Sequence, residues 1–298
     1  MPHRAAIDIG SNSLLLTVVD GQGEVLHDEA RVVGLGTGLG DRGLFAPDRL
    51  AAATEVLVDY LTIAASHGVP PHAVRAVATS AARRAMNAQT YFSRVLRDHE
   101  LRVRIIPGEE EARLAWLGAR QGLALPPGRV LVIDLGGGST ELVAGQEGVV
   151  TERVSLELGI LRLTERYLPP GPDGVVPKRG WVDLQGSVAA EVSRHAPAAD
   201  VVVGTAGTVT TLCAIQRGLS RYDGAQVHGE TLTRDDLRRF IDRLLPANAA
   251  ARRTLAAVSP GRADTLLAGC AILDAVLAAT NHDAMIVSDR GLRFGLLA

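Results

Sequence analysis

The sequence predicts an α/β protein built as two similar half-molecules that face one another across a cleft, one domain at residues 1–124 and the other at 125–298. Three observations carry that expectation. The run Val130-Leu131-Val132-Ile133-Asp134-Leu135-Gly136-Gly137-Gly138-Ser139-Thr140-Glu141-Leu142-Val143 reads as strand, acid, glycine turn and second strand. Ala6-Ile7-Asp8-Ile9-Gly10-Ser11-Asn12-Ser13-Leu14-Leu15-Leu16 repeats it at the N-terminus. A proline- and glycine-rich stretch at residues 122–128 lies between the copies as a hinge. Two copies of one supersecondary unit in 298 residues of 47% hydrophobic content predict two cores.

Each hairpin is suited to holding phosphate. Continuous Val, Ile and Leu before the acid indicate a strand buried on both faces, and glycines without Cβ let backbone N–H groups point at an anion. Gly10, Ser11, Asn12 and Ser13 supply such a loop, as do Gly136, Gly137, Gly138, Ser139 and Thr140, whose hydroxyls add donors. Asp134, Glu141 and Asp8 are the carboxylates a hydrated Mg²⁺ uses to bridge protein and phosphate. A single Gly-Gly-Gly would read equally well as an ordinary turn. The duplication favours function, and one mismatch adds to it: Leu15 stands where Glu141 stands, so Glu141 is not explained by the shared scaffold and is assigned to chemistry or metal.

The remaining elements follow in order. Residues 24–26 and 30–33 extend the first sheet, and the glycine-rich stretch 34–40 reads as a flexible loop, free at the surface or touching substrate. Apolar spacing at Leu50, Ala53, Leu57, Leu61 and Ala64 gives a helix over residues 47–67, with Pro47 and Asp48 at its start. Residues 74–87 read as strand, small-residue loop and helix. Arg83 follows one turn after Thr79 and Ser80, either exposed or forking onto phosphate oxygens. Residues 102–106 form a strand and Gly108 opens a helix, where Glu109 and Glu110 suit the macrodipole. Glu111 shares a helical face with Leu114, Ala115 and Gly118, the inward side, so it is either partnered or a general base.

Past the second hairpin, residues 155–165 lead into a short helix, and residues 168–180 read as a mobile surface loop. Residues 201–208 form a buried strand and a Gly-x-x-Gly turn opening a helix, either a plain strand-to-helix turn or, at Gly207, a place for an anion. A helix begins near Arg262 with Asp274 interrupting its apolar face, and residues 285–287 form the last strand.

Composition narrows the function. A formal net charge of −2 gives no global basic field, which argues against nucleic acid and against an anionic membrane, so attraction for a polyanion is local. Cys213 and Cys270 form no CxxC or Cys/His cluster and read as buried, inert thiols. Asp8 lies inside the first strand, unlike a signal peptide, and no apolar run is long enough to span a bilayer. The expected setting is cytoplasmic.

Neither G-x-x-x-x-G-K-[ST] nor G-x-G-x-x-G fits the chain, which removes P-loop NTPases and Rossmann dehydrogenases. Paired Asp-x-Gly-x-x-Ser loops resemble the superfamily of sugar kinases, heat-shock chaperones and actin. Within it, Ala6 to Ser13 together with Asp134 to Leu142 resembles the exopolyphosphatase and guanosine pentaphosphate phosphohydrolase family. Ala-Thr-Ser-Ala-x-Arg-x-x-x-Asn through Arg83 and Asn87, Leu-Gly-x-x-Arg-Leu-Thr-Glu through Arg162, and Ser-x-x-Gly-Leu-Arg near the C-terminus extend the resemblance over essentially the whole chain. It implies two ribonuclease H-like (actin-like ATPase) domains and hydrolysis of terminal phosphate from inorganic polyphosphate. Guanosine pentaphosphate, or a non-catalytic polyphosphate or alarmone sensor, is the alternative. It also implies Mg²⁺ or another divalent cation as cofactor, Glu111 as the catalytic carboxylate and Arg83 as a substrate contact. A homodimer is one assembly the chain could form. Pro107 replaces the family's usual serine, and Phe294 stands where an acid is usual.

Overall fold

The computed structural model describes residues 2–39, 43–255 and 260–298; Gly40, which ends the stretch 34–40, lies outside them. The chain divides into two units, Met1–Gly118 with Leu292–Ala298, and Ala119–Gly291.

The first unit holds strands β1 (Arg4–Ile9), β2 (Ser13–Val19), β3 (Val25–Val32), β4 (Arg75–Ala78) and β5 (Val103–Ile105), in the sheet order β3-β2-β1-β4-β5. β1 to β3 form an antiparallel meander, and β4 and β5 join on the other side of β1 as parallel strands. The two short strands expected over 24–33 are a single strand, because β2 pairs along its whole length with one register shift at Val18/Val19. The helix Pro47–Ser66 forms where the apolar spacing places it, burying Ala53, Leu57, Tyr60, Leu61 and Ala64. Its Tyr60 hydroxyl donates to Leu14 O at 2.9 Å. The other sheet face carries Ala6 and Val77, packed with Leu114 and with Leu292, Leu296 and Leu297 of the helix Leu292–Leu297. Arg4 and Arg75 donate to the carbonyls of Leu297 and Leu296, cations at the helix C-terminus where its dipole favours them.

The second unit holds β6 (Val130–Leu135), β7 (Thr140–Gln146), β8 (Val149–Leu156), β9 (Val201–Thr205), β10 (Thr231–Thr233) and β11 (Ala284–Val287), ordered β10-β11-β9-β6-β7-β8. β6, β7 and β8 repeat the meander of β1 to β3, and β9 and β11 join parallel to β6 as β4 and β5 join β1. The repeat holds residue by residue: Asp8 lies opposite Leu15, and Asp134 opposite Glu141.

Residues 168–177 form the expected loop, exposed or half-buried apart from two anchors, and only its last three residues depart from the expectation. Leu168 and Val176 are buried in the core, and a helix begins at Lys178 and runs to His195. Gly180 lies against the Tyr167 carbonyl where a Cβ would collide, so this glycine serves close packing rather than chain freedom. Among the described residues no helix is long and apolar enough to cross a membrane.

Candidate active site

In both units the polar loops occupy the C-terminal ends of parallel strands, where open α/β sheets place their ligand sites. The loop at Gly10–Ser13 follows β1, Thr79 follows β4 and Glu111 follows β5; in the second unit the loop at Gly136–Ser139 follows β6 and Gly207 follows β9.

The two loops are closed by the same hydrogen bond, Gly10 N to Ser13 O at 3.0 Å and Gly136 N to Ser139 O at 2.9 Å. Their carbonyls are held from behind. In the first loop Gly36 N donates to Ser11 O at 2.7 Å, and Val33 N and Gly34 N donate to Asn12 O at 2.9 and 2.8 Å. In the second, Ile160 N donates to Gly136 O at 3.1 Å and Leu161 N to Gly137 O at 2.9 Å. No peptide bond is cis. In a planar trans peptide the carbonyl and the following N–H point in opposite directions, so these bonds turn the N–H groups of Asn12, Ser13, Gly137 and Gly138 away from their braces. Adjacent outward N–H groups make an anion-binding concavity.

Glycines let the bracing segments approach the loops closely. A Cβ on Gly159 would stand 2.2 Å from Gly138 C, and one on Gly36 would stand 3.2 Å from Ser11 Cβ. The stretch expected to be a flexible loop is therefore a packed support, with Leu35 and Leu39 buried. Thr140 is also part of the support, since its buried hydroxyl donates to Leu158 O at 2.5 Å. Asn87 holds a neighbouring segment, accepting from Phe45 N at 2.9 Å and donating to Phe45 O at 3.1 Å.

Glu111 is buried in the first turn of the helix Gly108–Ala119. Arg83 Nη1 donates to its Oε2 at 2.5 Å and to Ile106 O at 3.0 Å. Burial pushes the Glu111 carboxyl above the usual glutamate range, and the charge and hydrogen bond of Arg83, with the Thr79 hydroxyl, pull the other way. Its helix neighbour Glu110 pairs instead with Arg104 at 2.7 Å. Of the three acids in that turn, Glu111 is the buried one, as the helical phase requires.

In the second unit Thr205, Asp134, Glu141 and Ser155 stand side by side across β9, β6, β7 and β8. Directly opposed residues share a sheet face, and this is the face turned from the core containing Leu131, Ile133 and Leu142. Glu141 is 1% exposed, and its Oε1 accepts from Ser155 Oγ at 2.9 Å. Two carboxylates in one row fit a divalent cation that takes its remaining ligands from phosphate oxygens and water. Among the described residues no group of three or more His, Cys, Asp or Glu could form a complete protein cage. Asp8 occupies the matching place in the first hairpin, opposite Leu15 and Val77.

The third turn is shaped by a cation. Ala206 adopts φ 72°, and a Cβ on Gly207 would fall 1.8 Å from Arg262 Nη1. Arg162 pairs with Glu157 on the surface. Phe294 is buried beneath the Arg293 guanidinium at 5.1 Å, and Arg293 forks onto Asp28 at 2.8 and 2.7 Å, so an apolar ring is accommodated where an acid is usual. Sequence reasoning missed Ser155, Gly159 and Gly36; pairing Glu141 with its cross-strand neighbour would have found Ser155, whereas the glycine braces depend on contacts between segments.

Two actin-like α/β domains, each presenting a glycine loop closed by the same hydrogen bond, define the class, and comparison with known proteins gives the family. A model of the Ppx/GppA phosphatase family matches residues 15–298. The chain belongs to that family. Exopolyphosphatase 2 of Mycobacterium tuberculosis (strain ATCC 25618 / H37Rv) is 36% identical over 292 residues, covering 91% of this chain and 88% of its own. The crystal structure of the Aquifex aeolicus family member is 34% identical at a TM-score of 0.82, covering 99% of this chain and 96% of its own. An exopolyphosphatase from Cytophaga hutchinsonii is 25% identical at a TM-score of 0.86 with the same coverage.

Proposed function

We propose that this protein is an exopolyphosphatase, removing the terminal phosphate of inorganic polyphosphate. The observation that carries the reading is the braced first loop with its outward N–H groups and, in the same unit, the buried carboxylate of Glu111 at a neighbouring strand terminus; the second unit holds a loop of the same build. The loops bind phosphate oxygens through the N–H groups of Asn12, Ser13, Gly137 and Gly138, with Ser11 and Ser139 as hydroxyl donors. Glu111 orients the attacking water and takes its proton as the new P–O bond forms and the bridging P–O bond breaks. Orthophosphate and a chain one unit shorter leave. Asp134 and Glu141 would hold a divalent cation such as Mg²⁺, which when bound neutralises charge on the phosphoryl oxygens. Family membership supports the reaction class, and relatives that bear the name exopolyphosphatase support the substrate.

Guanosine pentaphosphate would suit the same donors. The test measures orthophosphate release from polyphosphate and from guanosine pentaphosphate, with Mg²⁺ and no other nucleotide. Faster release from polyphosphate is expected. Faster release from guanosine pentaphosphate would replace the substrate, and binding of either without release would make the protein a sensor.

A further inference from the structure

The Arg83 contact has a feature that a simple phosphate ligand would not need. Among the described residues one nitrogen, Nη1, makes both of its protein hydrogen bonds, to Glu111 Oε2 at 2.5 Å and Ile106 O at 3.0 Å. The Arg83 side chain is 25% exposed, against 9% for that of Glu111. The guanidinium therefore has a buried corner locked onto the carboxylate and an accessible edge with further N–H donors in the same plane. Arg83 also lies close to the first loop, since its short helix Ser80–Arg84 sets Ala81 against Gly36, the brace of Ser11.

We infer that Arg83 is a positioning residue shared between base and substrate: Nη1 fixes Glu111 while the outer edge of the guanidinium takes a phosphate oxygen. This rests on the reading of Glu111 as the base. A phosphate anion on the outer edge draws on the same positive charge that holds the carboxylate, so filling the site loosens that hold and raises the carboxylate's affinity for a proton. The base is thereby strengthened when substrate is present. The groups acting on Glu111 are the Arg83 guanidinium and the Thr79 hydroxyl; on its own helix Glu110 is engaged by Arg104, and Glu109 and Arg113 are the other charges of the first turns.

The test follows the Glu111 carboxyl itself, by ¹³C NMR of protein labelled at glutamate Cδ, the signal assigned by its loss in Glu111→Gln. The probe is methylenediphosphonate, which carries the phosphate chemistry and is not cleaved. Its saturation should move the Glu111 titration upward by roughly one pH unit, the scale of a neighbouring charge. In Arg83→Met the titration should start higher and respond less. Arg83→Lys keeps the charge without the fork and guards against a folding defect; its KM should rise and its kcat fall together, where a residue that only bound phosphate would change KM alone. An unmoved Glu111 titration with bound probe in the native protein, or Arg83→Lys altering KM alone, overturns the sharing. Full turnover in Glu111→Gln would instead overturn the base assignment, so the two failures are distinct.

Discussion

At the residue scale, the proposed role of the buried glutamate makes a prediction about pH. A base must be ionised, and burial places the Glu111 carboxyl above the usual glutamate range. Activity is lost as pH falls through that raised value, so the acid limb of kcat should lie above the ordinary glutamate pKa, as a pH–rate profile will show. The cysteines make a separate prediction: burial pushes Cys213 up to about 11 and Cys270 up to about 12. Native protein at neutral pH should therefore leave a thiol reagent such as dithionitrobenzoate unreacted, and denatured protein should react at both. Residue types and helical phase made Glu111 legible in the sequence, because one side of that helix had to face inward. Its partner was not, since Arg83 and Glu111 meet only after β4 and β5 pair.

At the element scale, the loops keep their shape because other segments hold their carbonyls. Gly159→Ala puts a methyl 2.2 Å from the Gly138 carbonyl carbon, which the second loop relieves only by moving. Displacing phosphate donors by about 1 Å costs on the order of 10²-fold in kcat/KM, measurable by steady-state kinetics. Gly36→Ala, with 3.2 Å to a side-chain carbon, should cost less. Strand, acid, glycine turn and strand were readable in both hairpins because buried strands and turns leave local signatures. The brace around Gly36 was misread as a loose loop because glycine spacing is the same whether it serves freedom or close approach. In the stretch 168–180 the loop was legible as far as residue 177, and its prolines and glycines masked only the start of the helix Lys178–His195.

At the scale of the whole molecule, one supersecondary plan is used twice and diverges at one facing position. Leu15 and Glu141 occupy the same place in the two meanders, opposite Asp8 and Asp134, so the second copy alone carries the extra carboxylate. The terminal helix Leu292–Leu297 joins the first unit through the Arg293–Asp28 fork. Arg293→Met should lower stability by about 1 kcal/mol in urea unfolding, because it removes a two-pronged contact to a partly exposed carboxylate. The central claim is that Glu111 serves the chemical step rather than the fold or the binding of polyphosphate. Its direct test is Glu111→Gln, followed by orthophosphate release and by equilibrium binding of polyphosphate to the same folded protein. The account predicts turnover reduced by roughly 10²–10⁴-fold with little change in affinity. An equal loss of affinity, or undiminished turnover, would contradict it.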